Sequence, residues 1–344
     1  MSEFIAPAEE EPHTRTWMCW PAYTQDYQYG GRPESYPHQV RSAIGRLAQA
    51  ISEHEPVSMC ASPQHHEIAR SYCGDRVELV PIPTDDMWAR DTGPVFVRNK
   101  DGQKAGVNFN FNAWGGKEDL PVDAKLAGRI LDHLGIPEIT ASVVGEGGGI
   151  EFDGEGTLLL TESCWVNNNR NPGLTRAEIE TELRRVLGVE QVIWLQGVAG
   201  EEETDGHIDG YVRFIRPGLV LMSGADRNDP VWGKDTVWHD DYDDARNRLR
   251  KARDAAGRRL EIVELPWASK FRSDDPAFFT SYANFYVGNG AVYSPQFGDD
   301  TADKRAEATL TTLFPGRQVI MLDVDRIYEN GGGIHCVTQQ ECQP

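Results

Sequence analysis

The chain has 344 residues, of which 39% are hydrophobic, so it holds enough apolar material for a large buried core. Its 54 acidic residues outnumber 34 lysines and arginines and give a formal net charge of -20, which repels nucleic-acid phosphates and favours small cations. The sequence contains no linker-like or low-complexity tract, and we therefore expect a single domain over residues 1–344.

The start of the chain and its apolar pattern predict a cytoplasmic protein. The first residues, MSEFIAPAEEEPHTR, lack the basic start and the apolar stretch of a signal peptide. No run approaches the roughly 18 apolar residues of a membrane span. The six cysteines are scattered without a CxxC pair, which argues against a disulfide framework and a structural zinc site. We expect neither a membrane partner nor a metal, and a homo-oligomer is left open.

The first half of the chain alternates between helical and strand patterns. Residues 37–54 place apolar side chains at three- and four-residue spacing, which predicts an amphipathic helix. Another helix is predicted over 122–134 with Gly135 as its C-terminal cap, and another that Thr175 caps and that runs to Leu187, with Gly188 after it. Short β-rich runs predict strands at 57–61, 77–82, 95–98, 107–111, 150–152, 157–161 and 192–195.

The second half repeats this alternation. Helices are predicted at 242–256 and 302–314, and a hairpin is predicted around Gly288-Asn289-Gly290. Strands are predicted at 208–215, 219–223, 260–265, 319–322 and 334–338. The order strand, strand, helix, strand recurs about five times, which suggests a closed ring of ββαβ units. A layered α/β domain is the alternative, because periodicity alone does not establish closure.

An acidic segment, DDMWARDTGP, places three carboxylates and an aromatic residue before a predicted strand. Carboxylates make charge-assisted bonds to a cation, and Trp88 could supply an apolar or cation-π wall. The segment therefore predicts a cation site, with a solvated acidic turn as the alternative.

A glycine-rich segment follows Glu146 as Gly147-Gly148-Gly149. Consecutive glycines allow a ligand to approach the backbone closely, although such turns are common. The spacing matches neither a phosphate loop nor a dinucleotide fingerprint, so no nucleotide cofactor is predicted.

Two further segments carry groups suited to catalysis. On a strand, His207 and Asp209 would face the same side, which suits acid-base chemistry. A metal-ligand pair and a buried structural hydrogen bond are alternatives. Cys336 follows three glycines, and a single cysteine with a histidine elsewhere is a candidate nucleophile. An inert core cysteine is the alternative.

Eight segments together resemble the agmatine deiminase family in their order and content: WMCWP, DDMWARDTGP, FNAWGG, EGGGIEFDGEGT, NRNPG, ETDGHIDG, SYANFYV and GGGIHCVTQQ. They extend from Trp17 to Gln340, nearly the whole chain. The family is part of the guanidine-modifying (pentein) superfamily and is similar to bacterial-type peptidylarginine deiminases. The resemblance implies a five-bladed, pseudo-symmetric α/β propeller of ββαβ units. It also implies hydrolysis of agmatine to N-carbamoylputrescine and ammonia, without a metal or an organic cofactor.

The resemblance also implies roles for individual residues. The implied catalytic residues are Cys336 as nucleophile, His207 as general acid and base, Glu146 as the carboxylate beside that histidine, and Asp91 and Asp209 as guanidinium-binding carboxylates. Trp88 and Trp114 are implied to line the passage for the alkyl chain of the substrate. Asp86, in the same acidic segment as Trp88, is a further candidate for substrate binding.

The chain departs from the family pattern at Glu151 and Trp165, which predicts a changed pocket for the substrate tail. The nearest alternatives are a deiminase of free or peptidyl arginine and an amidinotransferase. A non-catalytic binding module on the same fold is the alternative of another class, although a binder has no need of all five implied catalytic residues.

Overall fold

The computed structural model describes residues 3–22, 35–224, 236–275 and 277–344, which form an α/β fold. The α-helices are Tyr36–Ser52, His66–Cys73, Ala89–Thr92, Ala113–Gly116, Leu126–Leu134, Glu162–Trp165, Arg176–Leu187, Thr236–Lys251, Asp300–Leu313 and Asp325–Tyr328. Single 3-10 turns lie at Pro63–His65, Asp123–Lys125, Gly147–Gly149 and Ile208–Gly210.

Within the described residues the strands form five separate sheets. In hydrogen-bonding order, the first sheet holds Gln339–Cys342, His13–Cys19, Val57–Cys60 and Glu78–Val80. The second holds Phe4–Ile5, Val95–Asn99, Lys104–Asn108 and Glu138–Thr140, and the third holds Gln191–Leu195, Thr157–Thr161 and Ile150–Phe152. The fourth holds Val212–Arg216, Leu219–Gly224 and Glu261–Pro266, and the fifth holds Tyr286–Val287, Ala291–Pro295 and Gln318–Leu322.

Each sheet contains an antiparallel pair and a parallel strand that follows a helix. In the fourth sheet, Val212–Arg216 pairs antiparallel with Leu219–Gly224, which pairs parallel with Glu261–Pro266 after the helix Thr236–Lys251. The first sheet joins the two ends of the chain, because Gln339 pairs antiparallel with Trp17. The predicted ββαβ rhythm is thus present in every sheet.

Local signals in the sequence account for several helix ends. Tyr36–Ser52 buries the apolar stripe predicted from its spacing. Thr175 and Glu178 form a capping box at the start of Arg176–Leu187, and Gly188 ends this helix with a φ of 69°. These positions match the predicted caps.

Two predicted strands are wrong where the backbone turns toward the large cavity of the molecule. The strand predicted over 208–215 begins only at Val212, because Tyr211 donates its backbone N–H to Ile208 and closes a 3-10 turn. Residues 334–338 are a turn rather than a strand, and the strand lies at Gln339–Cys342. Local hydrogen bonds hold this turn, since the Thr338 hydroxyl donates to the carbonyl of Ile334 at 2.9 Å.

The largest apolar core packs beneath this turn. It joins the helix Tyr36–Ser52 to buried aromatic side chains, including Tyr282, Phe285, Tyr286, Phe297 and Tyr328. The packed rings fix the backbone between Ser281 and Val287 as well as the segment before residue 334. Among the described residues, no helix is both long and apolar enough to span a lipid bilayer.

Candidate active site

A cavity of about 770 Å³ opens between the sheets. Its lining includes four polar side chains from three distant segments of the sequence: Asp91, His207, Asp209 and Cys336. Glu146 is completely buried and contacts His207 from behind. The structure therefore brings together all five residues of the implied catalytic set.

Asp91 is held by two hydrogen-bond donors. The backbone N–H of Gly148 donates to Oδ1 at 2.9 Å, and the indole N–H of Trp114 donates to Oδ2 at 2.9 Å. Burial raises the pKa of Asp91, and the neighbouring carboxylates of Asp209 and Glu146 also raise it. A bound cation would relieve this crowding of negative charge.

Glycine is required at position 148 because the turn passes close to two of these side chains. A Cβ added to Gly148 would lie 2.6 Å from Nδ1 of His207 and 2.8 Å from Oδ1 of Asp91. The glycine-rich segment therefore allows the backbone to pass close to the side chains of Asp91 and His207.

His207 lies between two carboxylates. Its Nε2 is 3.2 Å from Oε2 of Glu146, and its Nδ1 is 3.7 Å from Oδ1 of Asp91. Burial alone would lower the pKa of His207, but the charge of Asp91 and contacts with Cys164 and Glu146 hold it well above its usual value. The raised pKa favours the protonated imidazole, which can act as an acid.

Glu146 is anchored by a buried arginine. Nε of Arg170 donates to Oε1 of Glu146 at 2.9 Å, and Nη1 of Arg170 donates to Oδ2 of Asp205 at 2.7 Å. Burial would raise the pKa of Glu146, but its contacts with His207 and Arg170 hold the pKa below its usual value. Glu146 thus remains ionised and orients the histidine ring.

Asp209 is part of a second buried network. Its Oδ2 lies 2.7 Å from Nδ1 of His335, and Nε2 of the same ring lies 2.7 Å from Oε2 of Glu9. Only the doubly protonated ring can donate from both nitrogens. Burial would raise the pKa of Asp209, but His335 outweighs it and holds the pKa below its usual value.

Cys336 lies on the turn that precedes Gln339–Cys342. The side-chain amide of Asn284 donates to its Sγ at 3.2 Å, and Oδ2 of Asp209 lies 3.5 Å from the same sulfur. Burial raises the pKa of the Cys336 thiol well above its usual value, and the charges of Asp209 and Asp91 raise it further. The raised pKa favours the thiol, and a bound cation would favour the reactive thiolate.

Trp88, Trp114 and Asp86 also line the cavity, as predicted for substrate-binding residues. The carboxylate of Asp86 is already occupied, because its Oδ2 accepts the indole N–H of Trp88 at 3.1 Å. Trp114 has a φ of 52°, in the left-handed region that is unfavourable for a large side chain. This conformation directs the indole of Trp114 toward Asp91. Strained backbone conformations of this kind are typical of ligand-binding sites.

Glu151 and Trp165 do not line this cavity, so the prediction that they change the tail pocket is wrong. Glu151 is buried beside Arg213, which donates to its Oε2 at 3.0 Å. Trp165 is buried behind the glycine turn and donates its indole N–H to the carbonyl of Gly149 at 2.8 Å. Both side chains act in the supporting structure.

The family profile described as Porphyromonas-type peptidyl-arginine deiminase matches residues 5–342. The chain belongs to this family. An agmatine deiminase of Ectopseudomonas mendocina is 39% identical, and the alignment covers 99% of this chain and 96% of the relative. An agmatine deiminase of Medicago truncatula is 37% identical, with 98% and 96% covered. The solved agmatine deiminase of Enterococcus faecalis has a TM-score of 0.88 and 32% identity, with 99% of this chain and 96% of that chain covered.

One group of candidate metal ligands occurs among the described residues, namely Glu146, Cys164 and His207, with ligand atoms within 4.8 Å of one another. Arg170 donates two hydrogen-bond contacts from its Nε to the same carboxylate. A buried guanidinium opposes a second cation at this place. The group is therefore better suited to orienting His207 than to holding a metal.

Sequence reasoning missed the residues that support the predicted set. Arg170 and Asn284 lie in two of the quoted segments, NRNPG and SYANFYV, and His335 directly precedes Cys336. The only available sign of their importance was that they are polar residues inside these segments. Their roles depend on partners that are 24 positions away for Arg170 and 52 positions away for Asn284, so the sequence alone did not reveal them.

Proposed function

We propose that the chain hydrolyses the guanidinium group of agmatine to N-carbamoylputrescine and ammonia through a covalent thiouronium intermediate on Cys336. The observation that carries this proposal is the position of the Cys336 sulfur, 3.5 Å from Asp209, in a cavity that also contains Asp91 and His207. Relatives named agmatine deiminase, aligned over 98–99% of this chain, support it.

The first step in the proposed mechanism is binding of the guanidinium group. Asp91 and Asp209 accept its N–H groups in charge-assisted bonds and orient the central carbon toward sulfur. The positive charge of the substrate offsets the repulsion between the two carboxylates, because each carboxylate is attracted to the guanidinium group. It also lowers the pKa of Cys336, whose thiol loses its proton to solvent as the substrate binds.

The thiolate then attacks the central carbon and forms the S–C bond. His207 donates its proton to the departing nitrogen, the C–N bond breaks, and ammonia leaves. The product of this half-reaction is a thiouronium that retains the alkyl chain. Glu146 keeps the imidazole oriented during the transfer, and Arg170 keeps Glu146 ionised.

Water completes the proposed reaction. The neutral His207 takes a proton from a water molecule, whose oxygen adds to the thiouronium carbon. The S–C bond then breaks, the remaining hydroxyl proton passes to solvent as the carbonyl forms, the thiolate is regenerated, and the ureido product is released. One water is consumed and one ammonia is produced in each cycle.

The cavity favours a tail that ends in an ammonium group. Trp88 and Trp114 provide flat apolar faces for an alkyl chain. Eight carboxylates line the cavity, whereas its described lining contains neither lysine nor arginine. The α-carboxylate of free arginine would therefore lack a cationic partner. Arg90 does not supply one, because it is buried and donates to Gln340 and Glu9.

We further propose that residues 1–344 form one catalytic domain, a closed five-bladed propeller that acts in the cytoplasm. The five ββαβ units and the pairing of Gln339 with Trp17 across the chain ends support the ring. The acidic charge disfavours nucleic acid as a partner. A small cationic guanidine is the proposed partner, and assembly into a homo-oligomer remains a prediction.

The test is a panel of agmatine, arginine and an arginyl peptide, each assayed for ammonia and for the ureido product. We expect agmatine to give both products when it is the sole organic substrate. Turnover that requires an added amine would identify an amidinotransferase instead. Binding of all three compounds without ammonia release would identify a binding module.

A further inference from the structure

The cavity continues beyond the guanidinium site into a compartment that the proposed reaction does not use. We call this part the distal compartment and define it by Tyr211, Ser223, Trp238, Asp241 and Trp267, all of which line the cavity. It lies between the fourth sheet, which contributes Ser223, and the helix Thr236–Lys251, which contributes Trp238 and Asp241.

Three polar atoms of the distal compartment have no hydrogen-bond partner among the described residues. They are Oη of Tyr211, Oγ of Ser223 and Oδ1 of Asp241, and each atom is buried. Ser223 is completely buried as a residue, yet it lines the cavity. Buried polar groups in native proteins are nearly always paired, so three buried oxygens that face one cavity and have no partner among the described residues mark a place for a polar ligand.

The compartment has the chemistry of a cation site. Burial raises the pKa of Asp241 to about 6, and the nearby Asp244 also raises it. Arg248, whose charge lowers the pKa of Asp241, is held by Asp244, to which its Nε donates at 2.6 Å. The aromatic rings of Trp238 and Trp267 offer faces that attract ammonium groups. The pairing that Oδ1 of Asp241 lacks would therefore come from a positively charged ligand.

Agmatine alone does not account for this compartment. Its single ammonium already has acidic neighbours at the mouth of the cavity, where Glu118, Glu201 and Glu203 are exposed. The cavity of about 770 Å³ falls within the range that holds drug-sized ligands, which are larger than agmatine. The space and charge fit a longer chain with one more cationic nitrogen.

We propose that the distal compartment binds the second amine of a linear guanidine longer than agmatine, so that the substrates include guanidinium-terminated polyamines such as aminopropylagmatine. This inference rests on the proposed function, since the same Cys336 chemistry would act on the guanidinium end. One water enters, one ammonia leaves, and the polyamine tail is unchanged. Asp241 accepts the terminal ammonium, and Tyr211 and Ser223 supply neutral oxygen acceptors.

The experiment compares kcat/KM for aminopropylagmatine and agmatine in the wild type and in variants. We expect the wild type to use aminopropylagmatine at least as well as agmatine, and Asp241→Asn to lower the ratio of the two values by about tenfold or more. Tyr211→Phe should lower the ratio by a few-fold and preserves the shape of the ring. Asp240→Asn is the matched control, because Asp240 lies on the same helix outside the cavity lining and is exposed.

An unchanged ratio in both Asp241→Asn and Tyr211→Phe would overturn the inference, as would a wild type that uses only agmatine. An equal loss for both substrates would assign Asp241 to the ammonium of agmatine and would also overturn it. If neither guanidine releases ammonia, the proposed function fails. Calorimetric binding of aminopropylagmatine to Cys336→Ala and to Cys336→Ala/Asp241→Asn then tests the compartment by itself: equal affinities contradict it, and weaker binding to the double variant supports it.

Discussion

Oδ2 of Asp209 lies 3.5 Å from Sγ of Cys336, so the nucleophile of the proposed reaction faces a carboxylate whose charge disfavours the thiolate. The free thiol is therefore stabilised, and its pKa lies well above the usual value because of burial and the charges of Asp209 and Asp91. Activation must come with the substrate, whose guanidinium would sit between the sulfur and the carboxylates.

Alkylation by iodoacetamide should report this relationship. Because a raised pKa keeps the thiolate fraction low, Cys336 should react slowly at neutral pH and accelerate only as the pH rises above the usual cysteine pKa of about 8.5. Asp209→Asn removes one of the charges that raise the pKa, so alkylation at pH 8 should become several-fold faster. Peptide mass spectrometry distinguishes Cys336 from the five other cysteines, which are buried. Slower alkylation in Asp209→Asn would contradict the proposed electrostatics.

Cys336→Ala should lower kcat by at least about a thousandfold while the circular dichroism spectrum remains that of the wild type. The thiolate is the nucleophile of the proposed mechanism, and alanine cannot replace it. The substitution removes the sulfur that accepts a hydrogen bond from Asn284, but the backbone turn should be retained. Cys73→Ala is the control, because Cys73 is buried in the apolar core and does not line the cavity. Substantial ammonia release by purified Cys336→Ala protein would refute the mechanism.

Arg170→Met should lower the free energy of unfolding by about 3–5 kcal/mol, since it leaves the buried Glu146 without the guanidinium that it shares with Asp205. Urea denaturation measures this change. Arg176→Met removes an exposed ion pair with Glu162 and should cost less than about 1 kcal/mol. Similar small losses in both variants would show that the Arg170 pair does not support the site.

Exhaustive chelation should leave ammonia release from agmatine unchanged, because the proposed mechanism uses only side chains and water. The candidate ligand group of Glu146, Cys164 and His207 makes this test specific. Activity should be measured after dialysis against a chelator, with and without added zinc. If activity is lost on chelation and returns with added zinc, this group would be identified as a metal centre.

The kcat/KM of agmatine should exceed that of arginine by at least about a hundredfold, because the arginine carboxylate would enter an acidic cavity without a cationic partner. Both compounds should be measured at matched ionic strength, since salt screens part of this repulsion. Equal or better turnover of arginine would redirect the substrate assignment to arginine, and the proposed roles of Cys336 and His207 would be unaffected.

Local patterns in the sequence predicted the regular elements well. The helix Tyr36–Ser52, the cap at Thr175 and the hairpin that joins Tyr286–Val287 to Ala291–Pro295 all follow from apolar spacing or turn residues. These features depend on interactions within a few residues. They could therefore be predicted from the chain alone, as could the α/β class.

The sequence also identified the five implied catalytic residues, but through their segments and not through their geometry. His207 and Asp209 do not share a strand face as predicted, because the segment from Ile208 to Gly210 is a 3-10 turn. Both side chains nevertheless line the cavity. The residue types therefore indicated that His207 and Asp209 share one cavity, although the predicted backbone conformation was wrong.

The sequence by itself determined the five longest helices, most strands, the acidic charge and the residues of the candidate site. Only the tertiary structure decided which distant partners hold that site: Arg170 on Glu146, His335 on Asp209 and Asn284 on Cys336. It also decided that Ser223 and Asp241 face one cavity with oxygens that have no partner in the described part of the chain. The physical reason is the range of the interactions. The spacing of apolar residues and the capping of helices depend on residues within one helix or strand, whereas hydrogen bonds between buried side chains form only after distant segments have packed together.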